Sequence, residues 1–341
     1  MPEQDLSVPR FLGLLGTRGK RARTILETPR EDDGFFSPDG VARRVMSSPT
    51  AMIGALRCSI VEMLDPPSAV ALGQHSTAYQ DPVGRALRSL TLIVMLVFGD
   101  RKTATHASDI WFRIHERING VLPASDQPYR ALDLDNLLWI FLTGWHSFYI
   151  SYQEFGTTPL TADETDRYFA EGAAAAVMMG IPAHLIPDTH AKVVKYFAEV
   201  RPELVLTPEG LSIVDLLMRP GTKPRLLIAG GPFLRIASRA AVSNLPRDLR
   251  RLGQFDAPAW VFATSRILVG AAMRVMSIRR LYPAVGVIAP DMWAVLEQSD
   301  RWTAAQVANV VAVADPRPPV DEAVAPTPPY EQLMWPHLSK G

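Results

Sequence analysis

Apolar residues recur at helical spacing in segment after segment of this chain, from Val41 to Val313. Period-2 alternation convincing enough for a sheet is found nowhere. That pattern restricts the fold to helices packed on helices. Proline and glycine mark the joints. Val41–Leu64 reads as one helix, stopped by Asp65-Pro66-Pro67. Ser68–Tyr79 is a short helix that Ser68 can cap. Pro82 opens the next, which runs to Gly99. Thr103 or Thr105 starts a helix with apolar positions at Ala107, Ile110, Trp111, Ile114, Ile118 and Val121, ended by Gly120 and Pro123. Asp135–Gly156 is strongly apolar, and Thr161-Ala-Asp-Glu164 is a capping box for a helix ending at Gly180-Ile-Pro182. His184–Val200 and Ser212–Met218 are shorter helices. Leu226–Ala229 is brief, broken by Gly230-Gly231-Pro232. Phe233–Ser243, Pro246–Gly253, Trp260–Ser277, Met292–Gln298 and Thr303–Val313 complete the series. No repeat of 20–50 residues underlies it.

A chain of 341 residues, 48% of them hydrophobic, can close one large helical core. The expected organisation is an N-terminal arm over 1–34, a single all-α domain over 35–314, and a proline-rich tail over 315–341. Six prolines fall between Asp315 and Pro329. Lysine and arginine together number 35, as do aspartate and glutamate, so net charge favours neither nucleic acid nor an anionic membrane. The basic run from Arg18 to Arg23 reads as a solvated face. Cys58 is the sole cysteine, which forbids an intrachain disulfide and fits a reducing compartment. The N-terminus lacks the pattern of a secretion signal, so a cytoplasmic location is expected. The longest apolar runs, Leu90–Phe98 and Leu137–Ile150, are shorter than the ~20 residues that cross a bilayer, and no transmembrane segment is expected from them.

Chemistry concentrates between Asp81 and Gly120. Arg85, Arg88 and Ser89 share one face of the first helix there, and Trp111, His115 and Ile118 share a face of the second. A histidine on an apolar helix can present an imidazole nitrogen to iron, or it can be a core residue satisfied by a carbonyl. An arginine pair three residues apart can hold carboxylates, or be a solvated first turn, although arginine there opposes the helix dipole. Arg113 and Arg117 flank His115 and suit surface pairing with Asp109 or Glu116, or contact with a carboxylate ligand. His146 and Cys58 read as core residues. His184, Asp188 and His190 match no standard zinc spacing. Gly230-Gly231 belongs to no phosphate loop, and no HExxH, GxSxG or CxxC occurs.

These blocks, taken in order, resemble a known family. Asp81-Pro-Val-Gly-Arg85-Ala-Leu-Arg88-Ser89 is similar to the DPxGRxxRT block of the rubber oxygenase (latex clearing protein) and MpaB-type oxygenases. The similarity continues through Val97-Phe98-Gly99, the helix bearing His115, and Tyr129-Arg-Ala-Leu-Asp-Leu-Asp135. It extends to Leu137-Leu-Trp139, Gly180-Ile-Pro182, and Leu245-Pro246 with Arg250, covering roughly residues 35–275. The resemblance implies a globin-like helical core holding b-type haem, with His115 at the axial ligand position and Arg85 and Ser89 beside the haem on its oxygen-binding side. Arg88 stands where rubber-cleaving members carry a lysine that caps the iron. Arginine stays protonated and ligates metals poorly, so the sixth iron position is expected to be open or to hold water. Ser89 keeps the hydroxyl of the usual threonine. Asp65-Pro66 replaces a frequent His-Pro, and Phe141 replaces a histidine often found two residues after the tryptophan at 139.

The function expected from the sequence is therefore a haem b-dependent oxygenase or oxidoreductase. His115 is the iron ligand. Arg85 and Ser89 steer oxygen or a peroxide; Arg88 holds a haem propionate or polarises the oxygen, and Arg117 contacts a propionate. A hydrophobic small molecule is the substrate, against residues such as Leu92, Met95, Trp111 and Trp139. The alternatives are a non-catalytic haem or lipophile carrier and a haem-free helical interaction protein. Rubber itself is not the expected substrate, given no export signal.

Overall fold

The computed structural model describes residues 17–76, 81–219, 225–278 and 289–312. Among them run fourteen α-helices and one small hairpin, so the architecture is all-α. The expected tail at 315–341 lies outside the described residues, as does the whole stretch before Thr17.

Helix α1 spans Thr17–Glu27, α2 Val41–Met46 and α3 Ala51–Val61, and a 3-10 turn follows at Glu62–Leu64. The single helix expected over 41–64 is thus two. Pro49 lacks an N–H and pushes the residue before it out of the helical region, and Thr50 restarts the coil. Helix α4 spans Pro66–His75, capped by Asp65, whose side chain accepts from the Ser68 N–H. Helix α5 is Pro82–Phe98, capped by Asp81 through the Gly84 N–H. Helix α6 is Arg101–His115, capped by Asp100 through the Thr103 N–H at 2.8 Å. It begins before Thr103 and stops at His115, so Ile118 lies beyond its end. Strands β1, Asn119–Val121, and β2, Pro128–Arg130, then pair antiparallel with Gly120 opposite Tyr129. At three residues each they are too short to show alternation.

Helix α7, Leu134–Phe155, is the axis of the molecule. On one side it meets α8, Ala162–Met178, whose capping box at Thr161 and Glu164 forms as the spacing predicts. Trp145 stacks on Tyr168 at 5.1 Å. The indole N–H donates to the Tyr168 carbonyl, and the Tyr168 hydroxyl donates back to the Trp145 carbonyl. On the other side lies α3. An added Cβ on Gly54 would sit 2.8 Å from the Phe148 Cα, so glycine sets the separation of these helices. Gly144, one turn back along α7, faces Cys58, one turn on along α3: a Cβ there would lie 3.6 Å from Sγ. The two helices therefore cross antiparallel in steps of four, ridge against groove.

Helices α9, His190–Val200, α10, Pro208–Met218, α11, Arg225–Val242, α12, Arg247–Leu252, and α13, Ala259–Met276, wrap this pair. Gly230-Gly231-Pro232 does not break α11. Pro232 sits inside the helix, exposed, while Ala237, Ala240 and Ala241 hold the element against α13. The last two expected helices are one, α14, Pro290–Ala312, which packs on α1 through Trp293, Ala294 and Ala22. One helix among the described residues, α13, is long and apolar enough to cross a membrane by length and composition; it is neither of the apolar runs singled out in the sequence.

Candidate functional site

Helices α5 and α6 form an antiparallel pair joined by Gly99 and Asp100. Arg85 lies fourteen residues before Gly99 and His115 fifteen after Asp100 (99 − 85 and 115 − 100). At the rise of an α-helix both stand about 21–22 Å from the turn, on one level. The N-terminal end of α5 is thereby set against the C-terminal end of α6. Consistent with this, the Arg85 charge acts on the His115 imidazole.

His115 is half-buried as the last residue of α6. Its Nδ1 lies 2.7 Å from the Trp111 carbonyl one turn earlier. A carbonyl only accepts, so Nδ1 carries the proton and Nε2 keeps its lone pair. The ring stacks on Trp111 at 4.0 Å with 23° between planes. Burial lowers the imidazole pKa, with Arg85 adding to the effect and the Trp111 carbonyl opposing it. The ring is therefore neutral at pH 7 with Nε2 bare. A cleft of about 320 Å³ opens beside it, bounded by Glu116, Asn119, Arg130 and Leu132.

Arg85 also acts on two residues of another element. Cys58 of α3 donates from Sγ to Glu62 Oε1 at 2.8 Å, four residues on. Burial pushes the Glu62 carboxyl up to about 7, against the pull of the thiol and of Arg85. Burial and Glu62 push the Cys58 thiol well up, so it stays protonated and is no thiolate ligand. Both side chains nonetheless keep accessible surface. Gly144 of α7 stands beside this pair, where an added Cβ would lie 3.6 Å from the Cys58 sulfur. Arg57 is buried at the far side of Cys58. It donates to the Ser147 hydroxyl at 2.8 Å and to Asn244 at 3.4 Å, pairs with no carboxylate among the described residues, and is lowered to about 10 by burial. Sequence reasoning passed over Glu62 and Arg57. Only the packing of α3 on α7, with the Arg85 charge nearby, gives them meaning.

The remaining candidates separate. Arg88 is exposed and pairs with Asp81, the cap of its own helix, at 3.0 Å, whereas the Arg85 charge acts on His115, Cys58 and Glu62. The i, i+3 step turns it 60° toward solvent. Ser89 is half-buried one turn from Arg85. Arg117 is exposed past the end of α6, and Arg113 donates to the Asp109 carbonyl. His146 lies against Phe197 at 4.9 Å, its pKa driven well down by burial, Arg57 and His190. Asp188 pairs with Lys192, and His190 stacks on Phe169. Among the described residues no group of three or more His, Cys, Asp or Glu side chains is placed to hold a metal.

The Glu62 carboxyl predicts a pH effect on folding. Its pKa is about 7 in the folded chain, against 4.5 for an unperturbed glutamate. The folded state holds the proton longer, so stability from this group is full below 4.5 and is lost as pH rises toward 7. Glu62→Gln keeps an acceptor for Cys58 but carries no charge. Chemical denaturation of the purified chain is expected to show the variant more stable above pH 7, by on the order of 1–3 kcal/mol, and the difference to vanish near pH 4. Equal pH slopes in the two proteins would refute the assignment.

The catalytic-domain model described as ER-bound oxygenase mpaB/B' and rubber oxygenase matches residues 42–278. The match runs from α2 to two residues past α13 and contains His115, Arg85, Cys58, Glu62 and Arg57. No curated protein and no solved structure matches the chain.

Proposed function

This chain belongs to the mpaB/rubber oxygenase catalytic-domain family, and from that premise we propose that it is a haem b-dependent oxygenase acting on a hydrophobic small molecule, with His115 as the axial iron ligand. The observation that carries the haem reading is the His115 tautomer: Nδ1 held by the Trp111 carbonyl, Nε2 free, and the ring kept neutral. A metal-ligating histidine is oriented in this way by a partner on its other nitrogen. Haem supplies the activation of dioxygen or peroxide.

The chain's own residues supply binding, orientation and proton traffic. Arg85 and Arg57 are the cations whose charges act on Cys58, available to the cofactor's acid groups or to a polarised oxygen. Arg88, turned outward to Asp81, leaves that task to Arg85. Ser89 adds a hydroxyl one turn away. Glu62 titrates near neutrality and can take or return a proton there. Cys58 donates to Glu62 and steadies its ionised form. Trp111 and Leu92, half-buried against the core, give the walls an apolar character that excludes water.

Purified chain reconstituted with hemin is expected to show a Soret band that shifts on reduction and again with carbon monoxide, as a single axial histidine requires. Oxygen uptake with lipophilic candidates then reports turnover. Hemin that passes through a sizing column unbound refutes the haem reading; bound haem without turnover on any substrate turns it toward a carrier.

A further inference from the structure

A second surface stands apart from His115. Helix α13 buries one narrow stripe, Phe262, Ser265, Val269 and Met273, which packs on α11 and on Phe155 of α7. An ordinary surface helix is polar on the other side. This one is mainly apolar there, with only Thr264 and Arg274 at the edges of the face. Trp260 is 70% exposed and Ile267 71% exposed, and Leu268, Val275 and Ile278 are exposed with them. At 100° per residue, Trp260, Ile267, Ala271 and Ile278 fall within about 40° of one another, opposite the buried stripe. Phe233 of α11 is exposed as well. No acidic residue occurs between Ala259 and Ile278, and of the two arginines there Arg266 is drawn aside to Glu154 of α7.

Beside the start of α13 lies a cleft of about 490 Å³ whose lining includes Arg235, Arg239, Ile236, Pro258 and Trp260. Asp256 borders it but is taken up by Arg250, Arg247 and Arg251. Arg235 and Arg239 make no ion pair among the described residues, and burial and the charges of Arg219 and Arg235 lower the Arg239 pKa. Two guanidinium groups one turn apart over an apolar floor suit a phosphate ester. The site thus joins a phosphate-seeking end to an apolar helix, with a tryptophan at the border.

We propose that α13 and the adjoining end of α11 form a membrane-docking surface: α13 lies flat in the headgroup layer of a bilayer, and Arg235 with Arg239 holds the phosphate of an anionic phospholipid. An interfacial helix has an apolar side toward the acyl chains, basic residues at headgroup level and aromatic anchors between. Spanning is excluded for α13 in this fold, since its buried stripe ties it to the body along its length. A second copy of the chain is the weaker occupant. It would bring arginine toward arginine, where a bilayer offers apolar volume and negative charge together. Membrane docking on this face is independent of haem at His115, and it would bring the chain to where lipophilic substrates collect.

Flotation of the full chain with vesicles tests the proposal by binding alone. The chain is expected to float with phosphatidylcholine–phosphatidylglycerol vesicles, to float less in high salt, and to shift its tryptophan emission to the blue. Ile267→Asp, and separately the pair Arg235→Gln and Arg239→Gln, are expected to lower the bound fraction about tenfold, with helical circular dichroism unchanged. A chain left at the bottom with every vesicle overturns the proposal. So does a dimer, detected by light scattering, that Ile267→Asp dissociates and that binds no vesicle; the face would then belong to a second copy. Equal binding to pure phosphatidylcholine, unaltered by the arginine pair, overturns the phosphate site.

Discussion

Replacing His115 with alanine is expected to abolish the Soret band of the hemin-reconstituted chain and leave its far-ultraviolet helical signal intact. The iron–imidazole bond is the one bond the protein makes to the metal in this reading, so its loss leaves the cofactor without a protein ligand. His115 is half-buried at a helix end, where truncation removes a stacking partner of Trp111 but opens no deep cavity. The fold is therefore expected to survive with a loss of about 1 kcal/mol. The absorption spectrum of the variant, with free imidazole added as rescue, checks this. A variant that retains the wild-type spectrum would move the ligand elsewhere, and His146 would be the next residue to change.

The second large effect comes from a residue with no side chain. Gly54→Ala places a methyl 2.8 Å from the Phe148 Cα and 2.6 Å from its ring. Backbone cannot rotate away, so α3 and α7 must part. Overpacking of this kind costs about 3 kcal/mol, or roughly 5–10 °C in melting temperature. Gly54 and Cys58 of α3 and Glu62 of the 3-10 turn after it follow one another at steps of four, so the shift also carries the Cys58–Glu62 pair away from Gly144 and Arg85. Haem retention and turnover are expected to fall with stability. Gly144→Ala is the control: its methyl meets only the Cys58 sulfur, at 3.6 Å, and is expected to cost less than about 1 kcal/mol. Thermal melts of the two variants decide the matter. If they differ little, the crossing is looser than it stands here.

What was legible in the sequence was local. Helical spacing and caps identify α5, α7 and α8, and the Thr161–Glu164 box forms as expected. Pro49 is an equally local signal, yet the apolar spacing on either side of it masks the break that makes one helix two. Gly230-Gly231-Pro232 misleads in the opposite direction, since packing on α13 outweighs one lost helical hydrogen bond. At the site, helix phase alone put Arg85, Arg88 and Ser89 on one side and Trp111, His115 and Ile118 on another. The structure keeps Arg85 and His115 at one level, turns Arg88 to Asp81, and ends α6 before Ile118. Glu62 was invisible for a different reason. A glutamate in an apolar stretch has no meaning until the helices that surround it are in place, and its neighbours come from α3, α5 and α7.

Helices α1 and α14 hold each other across nearly the whole sequence. Trp302 donates to Asp33, Gln298 donates to the carbonyls of Ile25 and Thr28, and Ser299 meets the buried Arg43. During synthesis, therefore, α1 leaves the ribosome long before its partner exists. The helices between them can assemble as they emerge, whereas the first helix waits, solvated, until the last is made. Closure of so long a loop makes that docking a late and slow step. The nascent chain thus passes through a stage with its central helices in place and its N-terminal helix still unattached.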